Sequence, residues 1–206
     1  MRHGIVLLGS PRRDGSSDSL ARCFMEGAAE QGLMLEPLPL RECRVRPCTH
    51  CGGCRRPPHR CVLAEGDDGE RLLQALERTP FLLLAAPIYF YALPGQLKCL
   101  VDRAQSRWMA RQDGTAGDGS PGVSLSLLVA GRPRGEQLFT GSELCLSYFL
   151  RALGRELTER QAVRGIETPS DISPELQAAM RDWGRRQAAD ALSAPTPPAS
   201  FASGSP

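Results

Sequence analysis

The stretch Gly4–Ala21, GIVLLGSPRRDGSSDSLA, decides how the rest of the 206-residue chain is read. Ile5 to Leu8 is an uncharged apolar run, the pattern of a strand covered on both faces in a parallel sheet. Gly9, Ser10, Pro11 and Gly15 carry turn chemistry. Ser16 and Ser17 are capping residues for a helix that continues through Leu20, Ala21, Phe24 and Met25. A loop of small hydroxyl residues feeding a helix N-terminus gathers backbone N–H groups and the positive end of the helix dipole on one anion. With Arg12 and Arg13 as cationic donors, the loop reads as a phosphate grip; an ordinary strand-to-helix turn is the competing reading of this stretch taken alone.

Other phosphate loops fail by inspection. Five residues separate Gly9 from Gly15 and no Lys follows, which excludes a Walker loop, and the Rossmann GxGxxG fingerprint is absent. Gly9 and Ser10 stand where a Cys-x5-Arg phosphatase loop would need its thiolate. What remains is suited to holding a phosphate without attacking it.

Length and composition bound the rest. A chain of 206 residues fits one α/β domain, and a formal charge of +2 with scattered arginines argues against a nucleic-acid partner. No run approaches the ~20 apolar residues that cross a bilayer. Met1-Arg2-His3 enters a strand directly, so neither signal peptide nor membrane anchor is expected and the protein is placed in the cytoplasm. In that reducing compartment the eight cysteines are ligands or free thiols before they are disulfides.

Along the chain, Leu33–Leu40 reads as an edge strand, because Pro37 and Pro39 are unsuited to a central one. Asp67, as N-cap with Glu70 three residues on, opens a helix to Thr79. Phe81–Ala86 is a buried strand ending in Pro87-Ile88-Tyr89-Phe90-Tyr91. One helix follows from Pro94, with Leu97, Leu100, Val101 and Trp108 on its apolar stripe. Lys98 and Asp102, at i and i+4, form a helix-face ion pair. Val123–Ala130 is a fourth strand ending in Gly131-Arg132, followed by a helix over 136–153. Glu156–Val163 is a fifth strand, and a helix runs over Ser173–Leu192. Residues 1–193 form the domain, with a cysteine-rich insert at 43–61. Residues 194–206, uncharged and rich in Pro, Ser and Ala, read as a disordered tail.

Strand and helix repeated five times specify an α/β protein with a doubly wound five-stranded parallel sheet between two helix layers. Ligands in such sheets bind beyond the carboxyl ends of the strands, at the loops after strands one, three and four. The first of these loops suits an anion and the second is aromatic. A ligand with a phosphate at one end and a flat ring at the other fits both.

GSPRRDGSS followed by APIYFYALPGQLKCLVDR resembles the NADPH-dependent FMN reductase and iron-sulfur flavoprotein branch of the flavodoxin-like families, over Ile5 to Gly165. The resemblance implies that Ser10, Arg12, Ser16 and Ser17 hold the FMN phosphate. It also implies that Pro87, Ile88, Tyr89 and Phe90 border the isoalloxazine and ribityl chain, with Gly131 and Arg132 in the third loop. Two departures stand out: Asp14 and Asp18 bring negative charge towards the phosphate, and Ser16-Ser17 replaces the family's usual Asn-Thr pair.

Cys48, Cys51, Cys54 and Cys61 follow Cys-x2-Cys-x2-Cys-x6-Cys. Three thiolates at the tight spacing match the way ferredoxin-type sequences wrap a [4Fe-4S] cluster, and Gly52 and Gly53 leave the backbone free to curl. Zinc is the rival, with His50 or His59 able to replace a cysteine, and unligated thiols are a third reading. The iron-sulfur flavoproteins that the chain resembles carry a compact cysteine run after strand two, which implies a [4Fe-4S] cluster on these four residues. Arg44, Arg46, Arg55, Arg56 and Arg60 would offset its charge. Cys23, Cys99 and Cys145 fall on apolar helix faces and are expected to be buried.

No general acid, base or nucleophile stands out; hydride and electron chemistry would belong to the cofactor. The expected function is an FMN-dependent oxidoreductase that passes electrons between FMN, the cluster and a small-molecule or protein donor or acceptor. NAD(P)H is a possible reductant that the resemblance alone implies. A cluster-free NAD(P)H-dependent flavin or quinone reductase and a zinc-stiffened binding module remain alternatives. The resemblance also implies a homodimer or homotetramer, for which the apolar Tyr89–Leu93 region is suited.

Overall fold

The sheet is built from the most apolar runs of the chain. In the computed structural model, which describes residues 2–117 and 122–193, these are β1 (Arg2–Leu8), β3 (Phe81–Pro87) and β4 (Val123–Ala130). They are flanked by the edge strands β2 (Leu33–Pro39) and β5 (Glu159–Arg164). All pairs are parallel in the order β2-β1-β3-β4-β5, the flavodoxin-like doubly wound arrangement expected from the sequence. Val6 pairs with Pro37 and Leu8 with Pro39. Proline lacks the N–H a second neighbour would need, which is why this strand ends the sheet.

Alternation along the central strands feeds two cores. Val6, Phe81, Leu83, Leu125 and Leu127 face α1 (Ser16–Glu30) and α6 (Pro174–Ser193), where Phe24 meets Trp183 edge-on at 4.7 Å. Leu7, Leu82, Leu84 and Leu128 face the other layer. It comprises α2 (Gly69–Arg78), α3 (Gly95–Arg103), α4 (Gln105–Gln112) and α5 (Thr140–Ala152). The α1–α6 contact is close enough that a Cβ on Gly184 would strike the Phe24 carbonyl.

The structure refines several element boundaries. The single helix expected after Pro94 is two, α3 and α4, joined at Ala104, and the helix expected over 136–153 starts at Thr140. Asp67 is one residue too early to cap α2; Asp68 holds that position, and Asp67 is taken up by other partners described below. The Lys98–Asp102 pair forms as expected, at 2.6 Å. Cys23 is buried, whereas Cys99 and Cys145 are only partly so. The tail expected at 194–206 lies outside the described residues. Among the described residues, no helix is long and apolar enough to cross a membrane.

At the lower end of the sheet sits an arginine that the sequence did not single out. Arg155 is buried and donates to Ser124 Oγ at 2.8 Å and to the carbonyls of Thr79 and Val123 at 2.6 and 3.0 Å. Burial pushes its pKa down to about 10.

Candidate cofactor sites

The upper site begins where β1 ends. The Gly9 N–H donates to the Ala85 carbonyl at 2.8 Å, extending the β1–β3 ladder by one step. A Cβ at Gly9 would lie 2.8 Å from Leu97 Cδ2 and 3.2 Å from Ala86 Cβ, so glycine lets α3 and β3 pack closely at this turn. Ser10 closes the turn onto Arg12, accepting its N–H and donating to its carbonyl, both at 3.1 Å. α1 then starts with Gly15 as N-cap and no side-chain cap. Ser16 Oγ and Ser17 Oγ are buried with no hydrogen-bond partner among the described residues. An uncapped helix N-terminus and two orphaned buried hydroxyls leave a set of polar groups that an anion would satisfy.

The two carboxylates that seemed to oppose an anion are neutralised. Asp14 pairs with Arg22 at 2.7 Å, and buried Asp18 pairs with Arg41 at 2.8 Å. Burial raises the Asp18 carboxyl above the usual range, with Arg41 pulling the other way. The same Arg41 donates weakly to the carbonyls of Ser10 and Arg12, bracing the loop from outside. Arg13 is spent on Glu42 at 2.8 Å, which leaves Arg12 as the loop arginine that lines the cleft.

That cleft, of about 110 Å³, brings Ser10, Arg12, Ser16 and Ser17 together with Pro87, Ile88, Tyr89 and Gly131. Ile88 is placed by its N–H bond to the Val129 carbonyl at 2.8 Å. Tyr89 and Ala92 exchange backbone bonds of 2.9 and 3.0 Å around Phe90 and Tyr91, both with positive φ, at 50° and 62°. This primed turn throws the Phe90 side chain wholly into solvent, so Phe90 does not line the cleft of the single chain. Neither does Arg132, whose guanidinium sits 5.8 Å from the Tyr91 ring centroid. Gly131 has a different reason to be glycine: a Cβ there would collide with the Glu167 carboxylate.

Glu167 and Ile166 form a wall of the cleft that sequence reasoning missed. They come from the loop between β5 and α6, and Asp171 Oδ2 holds that loop by accepting the N–H groups of Glu167 and Thr168 at 3.0 and 2.8 Å. The Thr168-x-x-Asp171 capping spacing was the only local signal.

The second site lies in the segment between β2 and α2. Cys48, Cys51, Cys54 and Cys61 all line one cavity of about 400 Å³, closed on its far side by Asp102, Arg103, Gln105 and Ser106 at the α3–α4 junction. His50 and Gly52 adopt left-handed φ of 53° and 74°, the sharp reversals that let a short run curl round a centre. His59 is not turned to this cavity. It is buried, with Nδ1 2.9 Å from the Cys54 carbonyl and Nε2 3.1 Å from the Asp113 carboxylate. Among the described residues, no three His, Cys, Asp or Glu side chains converge as ligands of a single ion. The four thiols ring a space, not a point.

Side chains hold this segment in place. Gln96 Nε2 donates to the carbonyls of Leu40 and Cys43 at 2.7 and 2.8 Å. The Asp67 carboxylate is fully buried and accepts from Arg103 Nη1 at 2.7 Å, the Arg46 N–H at 2.8 Å and the Gly69 N–H at 3.0 Å. Burial alone would raise the Asp67 pKa; Arg103 and the two backbone donors outweigh it and hold the group below its usual value. Because Arg46 precedes Cys48 and Asp67 follows Cys61, one buried ion pair fastens the chain on both sides of the four cysteines to α3. Arg107 ties α4 to α2 through Glu70 and Glu77 at 2.7 and 3.2 Å.

The cysteine cavity and all of the upper cleft but its Ile166–Glu167 wall fall within one family match. Residues 4–132, more than half of the chain, match the model described as NADPH-dependent FMN reductase. The chain belongs to the NADPH-dependent FMN reductase family. Within that family it is similar to an iron-sulfur flavoprotein of Methanocaldococcus jannaschii, 31% identical over 101 residues, which are 49% of this chain and 51% of the relative. An iron-sulfur flavoprotein of Methanosarcina thermophila is 31% identical over 96 residues, 47% of this chain and 49% of the relative. The chain thus spans about half the length of the curated relatives it matches. Among solved structures, an FMN-dependent NADH-azoreductase from Bacillus anthracis in complex with FMN superposes with a TM-score of 0.66 at 15% identity, over 91% of this chain and all of the other. An archaeal flavodoxin superposes at 0.54 and 10% identity, over 93% of this chain and 99% of the other, which supports the fold alone.

Proposed function

We propose that this family member is a flavin-dependent oxidoreductase that binds FMN in the upper cleft and a [4Fe-4S] cluster in the cysteine cavity. Electrons would pass between these groups and an external donor or acceptor, NAD(P)H among the candidate reductants. The observation that carries the flavin reading is the pair of orphaned hydroxyls, Ser16 and Ser17, at an uncapped helix N-terminus facing Tyr89 across the cleft. A cleft of about 110 Å³ matches a phosphate and the start of a sugar chain, with the ring left to lie on the open Pro87–Tyr89 side.

In this reading the α1 N-terminus, Ser16, Ser17 and Arg12 bind the phosphate, while Arg41 stiffens the loop from behind. Pro87, Ile88 and Tyr89 orient the ring. Glu167 offers a carboxylate acceptor to the hydroxylated chain, and Gly131 makes room for it. The flavin, when bound, supplies the exchange between two-electron and one-electron transfers. The cluster assignment rests on the donor set: four thiols, the soft ligands that iron-sulfur centres take, ring one cavity, and His59 is engaged elsewhere. Exposed Phe90, Tyr91, Leu144 and Tyr148 would be covered in a homodimer or homotetramer.

Anaerobic purification followed by flavin and metal analysis tests the proposal. FMN together with about four iron per chain is expected. Yellow protein without iron would reduce the reading to a cluster-free reductase, and colourless zinc protein would overturn it. Cys54→Ser is expected to lose iron and keep flavin.

A further inference from the structure

Every element of the Arg103 environment is unusual for a guanidinium. The side chain is 1% exposed and its Nη1 is committed to Asp67 at 2.7 Å and to the Arg46 carbonyl at 3.3 Å. Its Nε is buried with no hydrogen-bond partner among the described residues. The same side chain lines the cavity that Cys48, Cys51, Cys54 and Cys61 also line. A buried N–H donor without an acceptor is unfavourable, so a group that restores the acceptor when it fills the cavity would recover that loss. A thiolate-ligated cluster is anionic and offers sulfur acceptors, and hydrogen bonds to its sulfurs raise its reduction potential.

We infer that Arg103 donates a hydrogen bond from the α3–α4 junction to a sulfur of the bound cluster and sets its potential, with Asp67 as the counter-charge that moderates the effect. The inference rests on the reading that the four cysteines hold an iron-sulfur cluster. Arg103 is here a positioning and tuning residue, not a ligand. Arg55 also lines the cavity, but it is exposed and belongs to the insert itself, so it lacks the rigid mounting on α3.

Opposite signs separate tuning from scaffolding. Arg103→Lys keeps a cation for Asp67 but removes the Nε donor, and its cluster should be reduced at a more negative midpoint than wild type. Asp67→Asn leaves the Arg103 charge less compensated and should shift the midpoint the other way. A purely structural clamp would weaken both variants without opposed shifts.

The experiment is potentiometric titration of full-length protein, reconstituted anaerobically with ferrous iron and sulfide, with iron counted per chain in each variant. It is paired with pulsed paramagnetic resonance of reduced wild-type protein carrying [15N]arginine. A 15N coupling to the cluster is expected in wild type and in Arg55→Lys, and its loss in Arg103→Lys. Wild type with full iron but no coupling, or midpoints that do not move apart, would overturn the inference while leaving the cluster in place. Wild type that takes up no iron would remove the cluster reading and this inference with it.

Discussion

The upper cleft and the cysteine cavity are made by different means. The cleft is an extension of the sheet: Gly9, Ile88 and Ile166 are each placed by a backbone bond that carries a ladder past the strand end, to Ala85, Val129 and Ala130 at 2.8, 2.8 and 3.1 Å. The cavity has no strand beside it. One wall is a segment with only 3-10 turns, hung on the α3–α4 wall opposite by Gln96, Arg103 and the contact of His59 with Asp113 just past α4. A site carried by sheet hydrogen bonds is in place before its ligand arrives. A site carried by a few buried side chains shares its stability with whatever fills it.

The largest effect should come from breaking the clamp of the second site. Asp67→Ala leaves Arg103 buried and unpaired and is expected to cost about 3–5 kcal/mol in urea unfolding of the apo protein, with iron uptake lost. FMN affinity should barely change, and a parallel collapse of flavin binding would show that the two sites are not independent. Acid provides a second route to the same clamp. The Asp67 carboxyl is held below its ordinary value, so its contribution is complete above the unfolded-state pKa and fades as pH falls through the lower folded-state one. The stability difference between wild type and Asp67→Asn should therefore shrink in strong acid.

The complementary break is in the upper cleft. Removing both orphaned hydroxyls in Ser16→Ala/Ser17→Ala takes away two donors to a charged phosphate, about 3 kcal/mol in total, or roughly a 100-fold rise in the FMN Kd by fluorescence quenching. Iron content should stay at the wild-type level. A smaller perturbation sharpens the role of the β5–α6 loop: in Gly131→Ala the new methyl displaces the Glu167 carboxylate, which should weaken FMN by about 1 kcal/mol, several-fold in Kd. An unchanged Kd would remove Glu167 from the binding set. The smallest effect belongs to neither site. Lys98→Ala deletes a half-exposed i,i+4 pair and should alter stability by no more than about 0.5 kcal/mol.

Strand type, the edge position of the second strand and the polar loop that opens the first helix could be read from Gly4–Ala21, Phe81–Ala86 and the prolines of Leu33–Leu40. These depend on local rules: an uncharged run must be covered, proline cannot donate, and small hydroxyl residues cap helices. Phe90 and Arg132 stand outside the cleft of the single chain because their direction depends on a turn with two positive-φ residues and on a stacking partner, Tyr91, neither of which a motif records.

Four cysteines within fourteen residues were visible in the sequence as a candidate ligand set, with a cluster, zinc and free thiols all compatible with their spacing. Only the folded chain determined what surrounds it. Asp67, read as a helix cap, and Arg103, which no motif singles out, meet across 36 positions of sequence to form the buried pair under the cysteine cavity. Ile166 and Glu167 likewise reach the cleft because parallel strands deliver all their C-terminal loops to one edge of the sheet. Local preferences act over a few residues and are written in them. The burial that makes a charge pair strong or leaves a donor unpaired is a property of the packed whole.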